Sequence, residues 1–80
     1  MKTIHVQYFA TLREQRGVSN ESVRTTAATP RELYEEISNQ HRFSLGPDRL
    51  RVVLNESFVA WDAELQEGDT LVFIPPVAGG

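Results

Sequence analysis

Thr70-Leu71-Val72-Phe73-Ile74 is an unbroken apolar run after its first residue, and it leads straight into Pro75-Pro76. A run apolar on both faces belongs in the interior of a sheet, more covered than an edge strand would be. Proline lacks a backbone N–H and fixes φ near −65°, so the pair stops further pairing and sends the chain outward as a semi-rigid extended arm. The rest of the chain must therefore flank Thr70–Ile74 with strands while leaving an exit for residues 75–80. From Pro75 to Gly80 the arm can reach roughly 20 Å, at about 3.3 Å per residue. Val77-Ala78-Gly79-Gly80 tapers in side-chain size, and the two residues without a Cβ suit a channel too narrow for any other residue. This order of parts can carry a carboxylate into the active site of another protein.

Upstream, Thr3–Tyr8 alternates cleanly and puts Ile4, Val6 and Tyr8 on one strand face. Thr11–Arg16 reads as a short helical turn stopped by Gly17 after a basic last turn. Glu21–Thr26 is a weaker strand, expected at an edge. In Thr29-Pro30-Arg31-Glu32, threonine can cap, proline suits the first helical position and Glu32 completes a capping box. The helix they start presents Leu33, Ile37, Tyr34 and His41 on one side, against Glu35, Glu36 and Asn39, and should end near His41-Arg42 before the Gly46-Pro47 breaker. Arg51–Leu54 is a strand, Asn55-Glu56-Ser57 a tight turn into Phe58-Val59-Ala60, and Leu65–Asp69 a turn. The order β, β, α, β, β, β gives an α+β domain with one main helix lying across a mixed sheet. Its expected bounds are residues 1–74, with 75–80 as an extended Gly-Gly tail.

Eighty residues make one domain. The net charge of −3, with no Lys/Arg cluster to offset it, disfavours nucleic acid as a partner. No apolar run is long enough for a membrane span and the start has no signal-peptide core, so a cytoplasmic protein is expected. Cysteine is absent, which removes disulfides, thiolate catalysis and cysteine-based metal sites together. Lys2 is the only lysine, a scarcity that suits a chain whose own carboxylate becomes activated.

The histidines His5 and His41 lie on different elements with no ligand at metal spacing, so no metal site is expected. The acids Glu32, Glu35 and Glu36 read as a helix's wet face, and Glu67-Gly68-Asp69 as a turn without the ligand series of a calcium loop. No phosphate loop, Ser-His-Asp set or paired carboxylate appears. The reactive group left is the α-carboxylate of Gly80. Ionised, it is a poor electrophile. Adenylation with ATP on a partner enzyme would make it a mixed anhydride, and attack by sulfide or a persulfide would then give a thiocarboxylate, ionised and nucleophilic at neutral pH.

Tyr8-Phe9-Ala10-Thr11-Leu12-Arg13-Glu14, Leu54-Asn55, Leu65-Gln66-Glu67-Gly68-Asp69 and Phe73-Ile74-Pro75-Pro76-Val77-Ala78-Gly79-Gly80 together resemble the small subunit of molybdopterin synthase, the MoaD family. Gly-Gly alone would also fit ubiquitin and the thiamine-pathway carrier ThiS. The resemblance implies a ubiquitin-like β-grasp whose last strand is central and parallel to the first. It implies a sulfur carrier that binds no cofactor itself, with ATP consumed by an E1-like, MoeB-like adenylyltransferase that activates Gly80. A sulfurtransferase would load the thiocarboxylate. The tail (Pro75, Pro76, Val77, Ala78, Gly79, Gly80) would then enter a MoaE-like large subunit, in a heterotetramer, and give sulfur to a precursor pterin. Family contacts with both partners map onto Phe9, Arg13, Phe58 and Ile74. Ile74 stands where the family more often has Phe, and Ala78 where it has a hydroxyl residue. The residues themselves leave open whether Phe9 and Phe58 belong to the core or to an interface. They also leave open a thiamine-type or protein-tagging carrier, or a β-grasp binding module that needs no free carboxylate.

Overall fold

The computed structural model describes residues 1–76. Along the chain come β1 (Lys2–Tyr8), α1 (Ala10–Arg16), β2 (Asn20–Thr25), α2 (Pro30–His41), a single 3₁₀ turn (Pro47–Arg49), β3 (Arg51–Leu54), β4 (Ser57–Val59) and β5 (Thr70–Ile74). The five strands form one mixed sheet in the order β2-β1-β5-β3-β4. β5 lies in the middle, as its apolar run requires. It pairs parallel to β1, with Val6 beside Leu71 and Tyr8 beside Phe73, and antiparallel to β3, with Val52 beside Phe73. β2 is an edge strand, antiparallel to β1. This is the ubiquitin-like β-grasp arrangement.

Alternation divides the sheet into two faces. Ile4, Val6, Tyr8, Val52, Leu71 and Phe73 point inward and are buried; with Leu12 of α1 and Leu33, Tyr34 and Ile37 of α2 they make one core. α2 lies across that face, with the Tyr34 ring 4.9 Å from Phe73, edge to face. Trp61, half-buried, stacks on Phe73 at 5.9 Å and meets the Tyr34 ring edge to face at 5.7 Å, so the three rings form one cluster. Tyr34 donates its hydroxyl to the Leu45 carbonyl at 2.6 Å, and burial pushes its pKa up to about 12.

The helix starts as its sequence signals say, with one change of partner. Thr29 Oγ1 accepts from the Glu32 N–H at 3.2 Å. Glu32, however, reaches past Thr29 to the N–H of Ala28 at 3.1 Å, so the reciprocal bond of a capping box is displaced by one residue. Glu36, expected simply to face water, accepts from Thr25 Oγ1 at 2.8 Å and ties α2 to the edge strand. α1 ends at Gly17, whose φ of 90° is a left-handed conformation that glycine adopts without steric cost.

Candidate functional site

β5 delivers the chain to the start of the expected tail. Beyond Phe73, Ile74 sits on the outer sheet face beside Arg51 of β3; Pro75 is buried and Pro76 exposed. The expected tail residues Val77, Ala78, Gly79 and Gly80 lie outside the described residues. The root of the tail is therefore the part of the site whose geometry can be followed.

Alternation puts Phe9, Phe58 and Ile74 on that same outer face. Phe9 follows β1 with 47% of its surface exposed, and Phe58 on β4 is 66% exposed, so neither is a core residue. Ile74 is half-buried. The three do not form one contact. Phe58 and Phe9 are three strands apart, about 14 Å at 4.8 Å per strand. Val53 and Val72 fill the space between them: Val53 pairs with Phe58 across the hairpin and with Val72 across the next ladder. Arg51 lies over Phe58, its guanidinium carbon 6.0 Å from the ring centre, a cation–π contact. Arg13, also exposed, stands one turn into α1, its N–H directed at the Phe9 carbonyl.

Val53, Val72 and Arg51 were missing from the residues the sequence singled out. The signal was available. In Arg51-Val52-Val53-Leu54 the alternation sends 51 and 53 away from buried Val52, and a two-residue turn at Asn55-Glu56 brings Phe58 opposite Val53. Asn55 and Glu56 both take positive φ, 49° and 74°, as a hairpin turn matched to strand twist demands. Asn55 also fastens the hairpin to β5: its Oδ1 accepts from the Thr70 N–H at 2.9 Å and its Nδ2 donates to Asp69 at 2.9 Å.

On one side of the tail root Asp48, Arg49 and Arg51 border a shallow cleft whose other wall is Ile74, Pro75 and Pro76. The cations around this end are thus arginines. At the side of β1, Glu21 accepts two bonds from the Arg16 guanidinium, at 2.8 and 2.6 Å, and a third from the Tyr8 hydroxyl at 2.6 Å. The Arg16 guanidinium holds the Glu21 carboxyl below its usual range, while burial, then Glu21, pushes the Tyr8 phenol up. The cluster ties α1 to β1 and β2. His5 is exposed and meets Ser22 Oγ at 2.9 Å, and among the described residues no three His, Cys, Asp or Glu side chains gather as a metal would need. No helix among them is long and apolar enough to cross a membrane.

The ThiS family pattern matches residues 6–80. The chain belongs to the ThiS family. Within the reach of that family it is 31% identical, over 96% of its length and 99% of the relative's, to the molybdopterin synthase sulfur carrier subunit of Escherichia coli K12. Among solved structures, a candidate molybdopterin converting factor subunit 1 from Pyrococcus furiosus superposes with a TM-score of 0.81 at 32% identity, covering 96% of this chain and all of that one. A chain from the BexX/CysO complex of Amycolatopsis orientalis gives 0.68 at 28% identity, covering 96% and 99%.

Proposed function

We propose that this ThiS family member is the sulfur carrier subunit of a molybdopterin synthase. Gly80 is adenylated by an E1-like adenylyltransferase at the expense of ATP, a sulfurtransferase converts the acyl adenylate to a thiocarboxylate, and the tail carries that sulfur to a precursor pterin held by a large subunit. The observation that carries the reading is the position of the exposed apolar face. Phe9, Val53, Phe58, Val72 and Ile74 lie at the root of the tail, on the side of the sheet that α2 leaves open. An apolar centre rimmed by Arg13 and Arg51 has the composition of a partner interface. A partner seated there receives the tail at a fixed starting point, so the same contact selects the partner and aims the carboxyl group. The name of the E. coli relative supports sulfur transfer to a pterin, and the relative solved in complex with BexX supports a partner protein.

Reconstitution tests this. Chain carrying a thiocarboxylate at Gly80, mixed with the large subunit and precursor pterin, is expected to yield a dithiolene pterin, and the carboxylate form none. Sulfur delivered to a different acceptor, with no pterin product, would keep the Gly80 chemistry and overturn the pterin assignment. Adding one residue after Gly80 is expected to abolish acceptance of AMP while leaving the unfolding curve unchanged. AMP acceptance at the normal rate by the extended chain would remove the carrier reading altogether.

A further inference from the structure

We propose that the arginines around the tail root keep that end of the molecule free of nucleophilic amines, so that an activated Gly80 is not consumed by its own chain. The inference rests on the proposed activation of Gly80.

The chemistry of the hazard is simple. An amine nitrogen attacks the Gly80 carbonyl carbon of the acyl adenylate. A C–N bond forms, the C–O bond to phosphorus breaks, AMP leaves with the electron pair, and the nitrogen loses a proton. The product is a dead amide. Lysine does this through its neutral minor form, whereas the guanidinium of arginine stays protonated and offers no free lone pair. The chain has eight Lys and Arg residues, and only Lys2 is a lysine.

Placement carries more weight than composition. Arg49 and Arg51 border the cleft against Pro75 and Pro76, and Arg51 is the cross-strand partner of Ile74. A lysine at either position would hold an amine beside the start of the tail. Lys2 is instead at the opposite end of the sheet. It opens β1, level with the turn in which the Gly68 N–H bonds the Thr3 carbonyl, and its Nζ donates to the Ala27 carbonyl at 2.8 Å. From Lys2 to Tyr8 the strand rises about 20 Å. Tyr8 is level with Phe73, and Pro76 lies three residues further on. The four residues after Pro76 span at most about 14 Å. With Pro76 and Lys2 in their described places, Gly80 falls short of that amine. The tail-root cations are therefore ones that cannot attack an activated carboxyl group.

The full chain, prepared with a thioester at Gly80 by intein cleavage, tests this as wild type, Arg49→Lys and Arg51→Lys at mildly alkaline pH. Intact mass separates hydrolysis from an internal amide, which is lighter by one water, and peptide mapping locates the new bond. Wild type is expected to hydrolyse, and both variants to form the internal amide at least about tenfold faster than wild type, as an amine tethered at millimolar effective concentration should, with Gly80 joined to residue 49 or 51. Both positions are exposed, and unfolding curves show that each variant is folded; either one alone suffices for the comparison. The proposal is overturned if wild type joins Gly80 to Lys2 at a comparable rate, or if folded variants hydrolyse with no internal amide. Because the thioester is installed without any activating enzyme, this result stands apart from AMP acceptance, whose failure would remove the carrier reading instead.

Discussion

The two faces of the sheet are made by the same strands and differ in what their apolar residues are for. On the inner face Ile4, Val6, Leu71 and Phe73 are fully buried under α2 and α1, and among the described residues no buried side-chain polar atom lacks a partner. Thr25 donates to Glu36 and accepts from the Ala27 N–H, and Glu21 is held by Arg16 and Tyr8. On the outer face Phe58 stands two-thirds exposed. A large ring left in water contributes little to stability, so the proposed interface and not the fold is where Phe58 is expected to matter. The inner face is buried and holds the fold together, whereas the outer face leaves Phe9 and Phe58 exposed.

Truncating the centre of the inner face is the severest test of that division. Phe73 touches both Tyr34 and Trp61 and is fully buried, so Phe73→Ala is expected to cost about 3–5 kcal/mol in chemical denaturation. A loss under about 1 kcal/mol would mean the two faces are not distinct. At the rim of the inner face, Glu21→Ala leaves Arg16 and the Tyr8 hydroxyl without their acceptor, and is expected to cost about 1–3 kcal/mol at neutral pH. The sign with pH comes from the lowered Glu21 pKa. A carboxylate whose folded pKa lies below its unfolded one stabilises fully above the unfolded value, and loses that contribution as pH falls through the folded one. The gap between wild type and Glu21→Ala should therefore close in acid, and a gap independent of pH would assign the cost to packing alone. On the outer face Phe58→Ala is expected to shift stability by no more than about 0.5 kcal/mol while weakening the complex with the large subunit, measured by titration calorimetry. A large loss of stability with binding unchanged would invert the comparison.

The inner face was legible in the sequence because burial leaves a period. Ile4-Val6-Tyr8, Leu33-Ile37 and the Thr70–Ile74 run announced their elements, and Thr29-Pro30 fixed where α2 begins. The outer face was legible only in part. Phe9, Arg13, Phe58 and Ile74 came from a family resemblance, because an exposed phenylalanine leaves no period to distinguish it from a buried one. Val53 and Arg51 were readable from local alternation and the two-residue turn but were passed over, whereas Val72 entered the site only through the β3–β5 register, a pairing of segments far apart in sequence. Glu36 and Glu21 were hidden for the same reason: a carboxylate facing water and one bonded across to another element read alike in a single chain.

β5 sits between β1 and β3, which share no ladder of their own. The middle of the sheet is thus the last strand to be synthesised. Until Thr70–Ile74 appears, β1 with β2 and β3 with β4 are two separate pairs flanking an empty slot, and the core lacks Leu71 and Phe73. Contacts this distant in sequence delay folding until the whole chain is available. A chain ending before β5 lacks both ladders of the central strand as well as Leu71 and Phe73, and is expected not to reach this fold. The strand that closes the sheet is also the one that leads into Pro75-Pro76, so completing the fold and presenting the start of the tail are one event.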